Sequence, residues 1–382
     1  MIYFDNSATT KPYDEVIDAF TKVSKDFYAN PSSLHNFGGK VEILVKQARK
    51  QISELLHVKE NEIYFTSGGT EGNNLAIKGT ALQYRSRGNH IITTRIEHPS
   101  VYEACEQLQQ LGFEITYLPV NKHGLVELNE LESAIKDETI LVSIMHVNNE
   151  IGSIQPIEEI GKLLNKYPKI LFHVDHVQGV GKVPLNIHQS HIDFCTISAH
   201  KFHGLKGSGI LYIRNGIRIS PLFSGGNQEN KVRSGTENVG GIVTMAKALR
   251  LTEDKRKQKV TEMIAIRDYL ITNLSSIANI QVHTDVNAAP HIINFSAIGL
   301  RGEVIVHALE AESIYVSTTS ACSSKQKSIS RTLQAIGVIE KIAEGAVRIS
   351  LSYENTMDEA IIFMNKLEKI LNNLNDVMRD TK

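Results

Sequence analysis

Phe172-His173-Val174-Asp175-His176-Val177-Gln178 is a short apolar run that closes on a carboxylate. Ser198-Ala199-His200-Lys201-Phe202-His203-Gly204 continues a second such run, Phe194–Ser198, and sets a lysine just past its end. Two strands that each deliver a polar residue at their carboxyl end predict an α/β sheet, because ligands of such sheets bind beyond that edge. Working outward, Glu62–Thr66, His90–Thr94, Phe113–Leu118, Ile140–His146, Ile170–Val174 and Gly209–Ile213 also read as strands. Between them Glu71–Gln83, Ser100–Leu111 and Ile157–Tyr167 carry apolar residues at helical spacing. The alternation predicts a mostly parallel seven-stranded sheet with helices on both faces.

After Gly241 the rhythm changes. Ile242–Leu274 is expected as a long helix, broken or bent at the charged run Glu253-Asp254-Lys255-Arg256-Lys257. A smaller α+β part follows, with strands near Ile280–His283, Ile292–Phe295 and Val347–Leu351 and a last helix from about Met357 to Met378. At 382 residues more than one core is expected. We place a large α/β unit at 14–255 and a small α+β unit at 1–13 and 256–382, the latter carrying a loop at about 317–330. A net charge of −1 argues against a non-specific nucleic-acid or membrane surface. No apolar run is long enough to span a bilayer, and the first residues lack a basic-then-apolar signal. Three cysteines in this length suit a reducing compartment, so a cytoplasmic location is expected.

The chemistry follows from Lys201 and Asp175. A lysine amine can form a Schiff base with pyridoxal phosphate, and a carboxylate at the ring nitrogen keeps the ring an electron sink. Ser198, His200 and the glycines at 204, 207 and 209 distinguish Lys201 from a solvated surface lysine. Ser67-Gly68-Gly69-Thr70-Glu71-Gly72 follows a strand and opens a helix, a place where backbone amides and the helix dipole favour a phosphate. Alone it is a glycine-rich turn capped by Thr70. His98, in Arg95-Ile96-Glu97-His98-Pro99-Ser100, is a candidate to stack on a cofactor ring and shuttle protons. Asn149, within His146–Gly152, offers an uncharged donor to a ring oxygen. Arg348 lies in an apolar strand and needs a partner, either a substrate carboxylate or a structural ion pair.

Other residues carry rival readings. His173, Asp175, His176, His200 and His203 offer donors to zinc or iron, yet Lys201 interrupts them and no cysteine pair joins the set, so no metal is expected. Arg233-Ser234-Gly235-Thr236-Glu237-Asn238 reads as a capped helix start. Cys105 and Cys195 read as small core residues. Cys322 differs: Ser317–Ser328 is small, polar and lysine-bearing, a setting that favours a reactive thiolate.

Taken in order, Asp5–Thr10, Asn30–Ser33, Thr66–Glu71, Glu97-His98, His146–Gly152, His173–Gln178, Ser198–Gly204, Arg233–Thr236, Ser320–Cys322 and Arg348–Ser350 resemble the NifS/IscS-like cysteine desulfurases of the class-V aminotransferase group. The resemblance implies fold type I and conversion of L-cysteine to L-alanine with pyridoxal phosphate. It implies that Lys201 carries the cofactor, Asp175 pairs with its ring nitrogen, Gln178 contacts the ring hydroxyl and His98 stacks on the ring. Gly69, Thr70, Ser198 and His200 are then expected on the phosphate, with Thr236 arriving from the other subunit of a homodimer. Asn149 is expected beside the ring, Arg348 on the substrate carboxylate, and Cys322 as the acceptor of sulfur. The sulfur would pass from a Cys322 persulfide to an iron–sulfur scaffold or tRNA thiolation enzyme. A selenocysteine lyase or other class-V aminotransferase is the nearest alternative, and a non-catalytic docking protein a remote one. His176 departs from the group, which has a small residue after the aspartate.

Overall fold

The computed structural model describes residues 1–318 and 330–380, with backbone alone for 375–380. In chain order the strands are β1 (Ile2–Tyr3), β2 (Ile63–Thr66), β3 (His90–Thr94), β4 (Glu114–Leu118), β5 (Thr139–Met145), β6 (Leu171–Asp175), β7 (Phe194–Ser198) and β8 (Gly209–Ile213). They continue with β9 (Ile280–Val282), β10 (Ile292–Ala297), β11 (Ile314–Tyr315), β12 (Ser317–Thr318) and β13 (Ala346–Ser350). The main sheet runs β2-β8-β7-β6-β5-β3-β4. β8 is antiparallel to both neighbours and the other pairings are parallel. Every residue of β3, β5, β6, β7 and β8 is buried. That explains their near-continuous apolar runs, since parallel strands are covered on both faces.

Helices α1 (Asp14–Asp26), α2 (Asn36–Leu56), α3 (Gly69–Tyr84), α4 (Pro99–Gln110), α5 (Leu128–Ala134), α6 (Ile157–Leu164) and α7 (Val239–Ser276) supply the covers. Leu75 and Ala76 of α3 and Val101 and Leu108 of α4 pack with Ile91, Leu141, Phe194 and Leu211 on one face. On the other, Val45 and Ile52 of α2, Ile160 of α6 and Ile242, Met245 and Leu249 of α7 pack with Val142, Val174 and Ile197. A third core joins Met263, Ile266 and Leu270 of α7 to Phe295, Val347, Ile349, Phe363 and Leu367. There the sheet order is β12-β13-β10-β9, antiparallel throughout. β1 pairs with β11, bringing the amino terminus into this part.

α7 is therefore one helix shared by two cores, and the break expected at 253–257 is absent. The charges there pair along one helix face, Arg256 with Glu253 at 2.8 Å and Arg250 with Asp254 at 3.7 Å, while Lys255 meets Glu354. Such spacing supports a helix. α1 and α2 were not anticipated. Among the described residues no helix is long and apolar enough to cross a membrane.

Candidate active site

The carboxyl ends of β2, β3, β5, β6 and β7 share one edge, as register shows: Asp175 lies beside Met145 and Thr196, and Ser198 beside Gly209. Beyond it opens a cleft of about 270 Å³ lined by Ala8, Gly69, Thr70, Asn73, His98, Ser100, Met145, Val147, Asn149, Asp175, Val177, Gln178, Ser198, His200 and Lys201. The cleft thus gathers Gly69, Thr70, His98, Asn149, Asp175, Gln178, Ser198, His200 and Lys201, residues spread over more than a hundred positions of the sequence.

One end is a cradle. Gly68 has φ +151°, a conformation that side chains resist, and α3 starts at the next residue. A Cβ on Gly69 would stand 2.9 Å from Val177, and one on Gly68 would touch the Ser198 hydroxyl at 3.5 Å. The first amides of α3 point here with the positive end of the helix dipole. Arg233 ties the segment before α7 to this turn by donating to Glu71 at 2.8 and 3.4 Å. Thr236, three residues on, is exposed and lies outside the cleft.

The opposite end holds the carboxylate. Asp175 is 5 % exposed and accepts from the Val177 amide at 3.0 Å and from Asn73 Nδ2 at 2.7 Å. Gln178 Nε2 donates to the Ser7 carbonyl at 3.0 Å, while its Oε1 is buried with no partner among the described residues. Lys201 follows β7 in a short 3₁₀ turn, Ala199–Lys201. Its Nζ donates to the carbonyls of Ser7 and Ala8 at 2.5 and 2.8 Å. Lys182 supports it from below, donating to the Lys201 carbonyl at 2.7 Å. Burial and the Lys201 charge pull Lys182 down to about 7.

The histidines divide by environment. His98 Nδ1 meets the Ser100 amide at 3.1 Å and the Ser100 hydroxyl at 2.8 Å. Burial lowers its pKa, opposed by Asp175 and assisted by Lys201. His200 contacts Thr9 at 3.2 Å and is lowered to about 4, by burial first and then by Lys201. His173 is enclosed in the sheet between Ser143 at 2.8 Å and Thr196 at 3.0 Å, and burial takes it to about 3. His176 turns away from the cleft onto His146, their Nδ1 atoms 2.8 Å apart. Glu97, behind His98, accepts from Thr94 at 2.7 Å and the Met145 amide at 3.0 Å, and burial pushes it up to about 8.

Arg348 does not line the cleft. It is 6 % exposed, pairs with Asp5 at 3.1 Å and donates to the Asn149 carbonyl at 2.9 Å, with Nε unpartnered among the described residues. Cys105 and Cys195 are buried. Cys322 lies outside the described residues. Asn73, Ser100, Lys182, Asp5 and the Ser7 and Ala8 carbonyls were missed as site residues. Asp5, Ser7 and Ala8 lie within the Asp5–Thr10 stretch and Ser100 within Arg95–Ser100, both noted in the sequence without a role for these residues, and Asn73 lies one helical turn after Thr70 on the helix that opens the cradle.

The donor set fits pyridoxal phosphate. An amine, a buried carboxylate, a glycine cradle at a helix N-terminus and a buried orphan acceptor at Gln178 meet in one cleft. Comparison with known proteins agrees. Residues 2–363 match the family described as aminotransferase class-V. A NifS/IcsS protein homolog of Lactobacillus delbrueckii subsp. bulgaricus is 47% identical over 373 residues, 97% of each chain. A cysteine desulfurase IscS of Dictyoglomus turgidum is 43% identical over 378 residues, 98% of this chain and 96% of that one. Among solved structures, a NifS-like protein superposes with a TM-score of 0.92 at 39% identity, covering 97% of this chain and 99% of the other.

Proposed function

As this chain belongs to the aminotransferase class-V family, among its NifS/IscS-like cysteine desulfurases, we propose that Lys201, Asp175 and Cys322 divide the desulfuration of L-cysteine between them. The observation that carries the assignment is the meeting of the Lys201 amine and the buried Asp175 carboxylate in a single cleft with a phosphate cradle at its end. Pyridoxal phosphate, when bound, supplies an aldehyde for an amine and a ring that accepts an electron pair from the substrate α-carbon.

The remaining work is done by side chains. Lys201 would provide the attachment point, and its Nζ would take the substrate α-proton. Asp175, oriented by Asn73 and the Val177 amide, accepts the ring N–H. Gly69, Thr70, Ser198 and His200 hold the phosphate, and Thr236 reaches it from the partner in a homodimer. Gln178, Asn149 and His98, which line the same cleft, would hold the ring. Arg348, aimed by Asp5, offers Nε to the substrate carboxylate.

Cys322, as a thiolate, attacks the substrate sulfur. The new S–S bond forms as the substrate C–S bond breaks, and the carbon fragment is protonated and leaves as L-alanine. Both flanks of its segment leave from the edge of the site. Ser317 pairs with Arg348, and Ser330 donates to Glu150, next to Asn149. Cys322 lies four positions beyond Thr318, a reach of up to about 14 Å. From there the sulfur passes to an acceptor protein, an iron–sulfur scaffold or a tRNA thiolation enzyme. We assign residues 14–255 to the cofactor-holding unit and 1–13 with 256–382 to the unit that delivers Cys322.

Incubation with L-cysteine tests the scheme: alanine should accumulate, and peptide mass spectrometry should find one added sulfur on Cys322. Alanine release with the sulfur on Cys105 or Cys195 would overturn the assignment.

A further inference from the structure

A chain of three hydrogen bonds joins His98 to Asp175. Asn73 Nδ2 donates one hydrogen to Asp175 Oδ2 at 2.7 Å and the other to Ser100 Oγ at 2.8 Å. A carboxylate only accepts, so the amide orientation of Asn73 is fixed. Ser100 Oγ, already accepting from Asn73, directs its own hydrogen to His98 Nδ1 at 2.8 Å. The Ser100 amide, which can only donate, meets the same nitrogen at 3.1 Å. His98 Nδ1 is therefore an acceptor twice over and carries no hydrogen. In a neutral imidazole the proton then sits on Nε2. Nε2 has no hydrogen-bond partner among the described residues, and His98 lines the cleft.

We propose that Asn73 and Ser100 are positioning residues that hold His98 in its Nε2–H form and tie its ring to Asp175, so that His98 serves the reaction as a hydrogen-bond donor instead of a base. This rests on the desulfurase reading and replaces the proton shuttle expected from the sequence. The ring's one basic lone pair faces the Ser100 amide, out of reach of any molecule in the cleft. Adding a proton there would set N–H against N–H. The charged groups that act on His98 are Asp175 and Lys201, and burial outweighs the attraction of Asp175, which keeps the ring neutral. Transfer of the α-proton is left to Lys201.

The test is ¹⁵N NMR of the full-length protein with labelled histidine, recorded with the cofactor bound and again after its removal. His98, assigned from the His98→Gln spectrum, should show an unprotonated Nδ1 and a protonated Nε2, unchanged from pH 6 to 9. Asn73→Ala frees the Ser100 hydroxyl to accept and leaves the Ser100 amide as the one donor opposing a proton on Nδ1, so a minor protonated Nδ1 population, absent from the wild type, should appear as the pH falls to 6. A protonated Nδ1 in the wild type, or a wild-type midpoint between pH 6 and 8, would overturn the proposal. Kinetics provide a second readout, since the side-chain amide introduced by His98→Gln still donates. That variant should lose less than a hundredfold in kcat with the cofactor absorbance intact; a larger loss, as expected for removal of a base, would contradict the proposal. If the wild type makes no alanine from cysteine, the desulfurase reading fails while the spectrum still decides the tautomer.

Discussion

The floor and the rim of the cleft are built differently. The floor consists of strand ends and the first turn of α3, where Asp175, Ser198, Lys201, Gly69 and Thr70 project from adjacent parts of one buried sheet. The rim joins the amino-terminal segment to the second sheet: Asp5 to Arg348, Ser7 to Ser350, and the Ser7 and Ala8 carbonyls to Lys201. The floor places groups that need fixed geometry, because backbone pairing on both sides leaves a strand end little freedom. The rim couples those groups to the part of the chain that leads into the Cys322 segment. Chemistry is assigned to the floor and delivery to the rim.

Substitutions should separate the two. Lys201→Ala removes the floor's reactive group and should lower alanine formation at least about a thousandfold, with loss of the visible absorbance of lysine-bound cofactor. Cys322→Ala should keep that absorbance yet reduce persulfide, read by mass spectrometry, to background. Unchanged turnover in that variant would break the division between chemistry and delivery. Asp5→Ala leaves Arg348 buried without its carboxylate and should cost about 3 kcal/mol, measured by urea unfolding. The smallest effect concerns the floor alone. His173 is held by burial at about 3, whereas in the unfolded chain it takes up a proton near pH 6.5. The unfolded state then binds more protons as pH falls, so stability is full above about pH 6.5 and declines toward pH 3. At pH 5 the loss is about 2 kcal/mol, and a His173→Asn protein should lose correspondingly less between pH 7 and 5.

The floor was legible in the sequence, whereas of the rim the sequence showed that Arg348 needs a partner but not which residue it is, for a physical reason. A parallel strand announces itself by a short apolar run, and the residue at its end is read directly from the run, as with Asp175 and Ser198. The contact between Asp5 and Arg348 links positions 343 apart, and no local pattern reports it. Asn73 gave only a local hint, its place one turn after Thr70, and its purpose emerges when Asp175, 102 residues later, is set beside it. α2 was hidden by Gly38-Gly39, which weaken a helical pattern. Gly38 is required there, since a Cβ would come within 2.4 Å of the Ser33 carbonyl. The charged run in α7 misled because its charges stabilise the helix by pairing along one face.

Attachment of pyridoxal phosphate through Lys201, as proposed above, can be trapped by borohydride reduction of the native protein and located by peptide mapping. The reduced cofactor's added mass should fall on the peptide that contains Lys201 and on no other. An unmodified Lys201 peptide, or the added mass on Lys182 in its place, would contradict it.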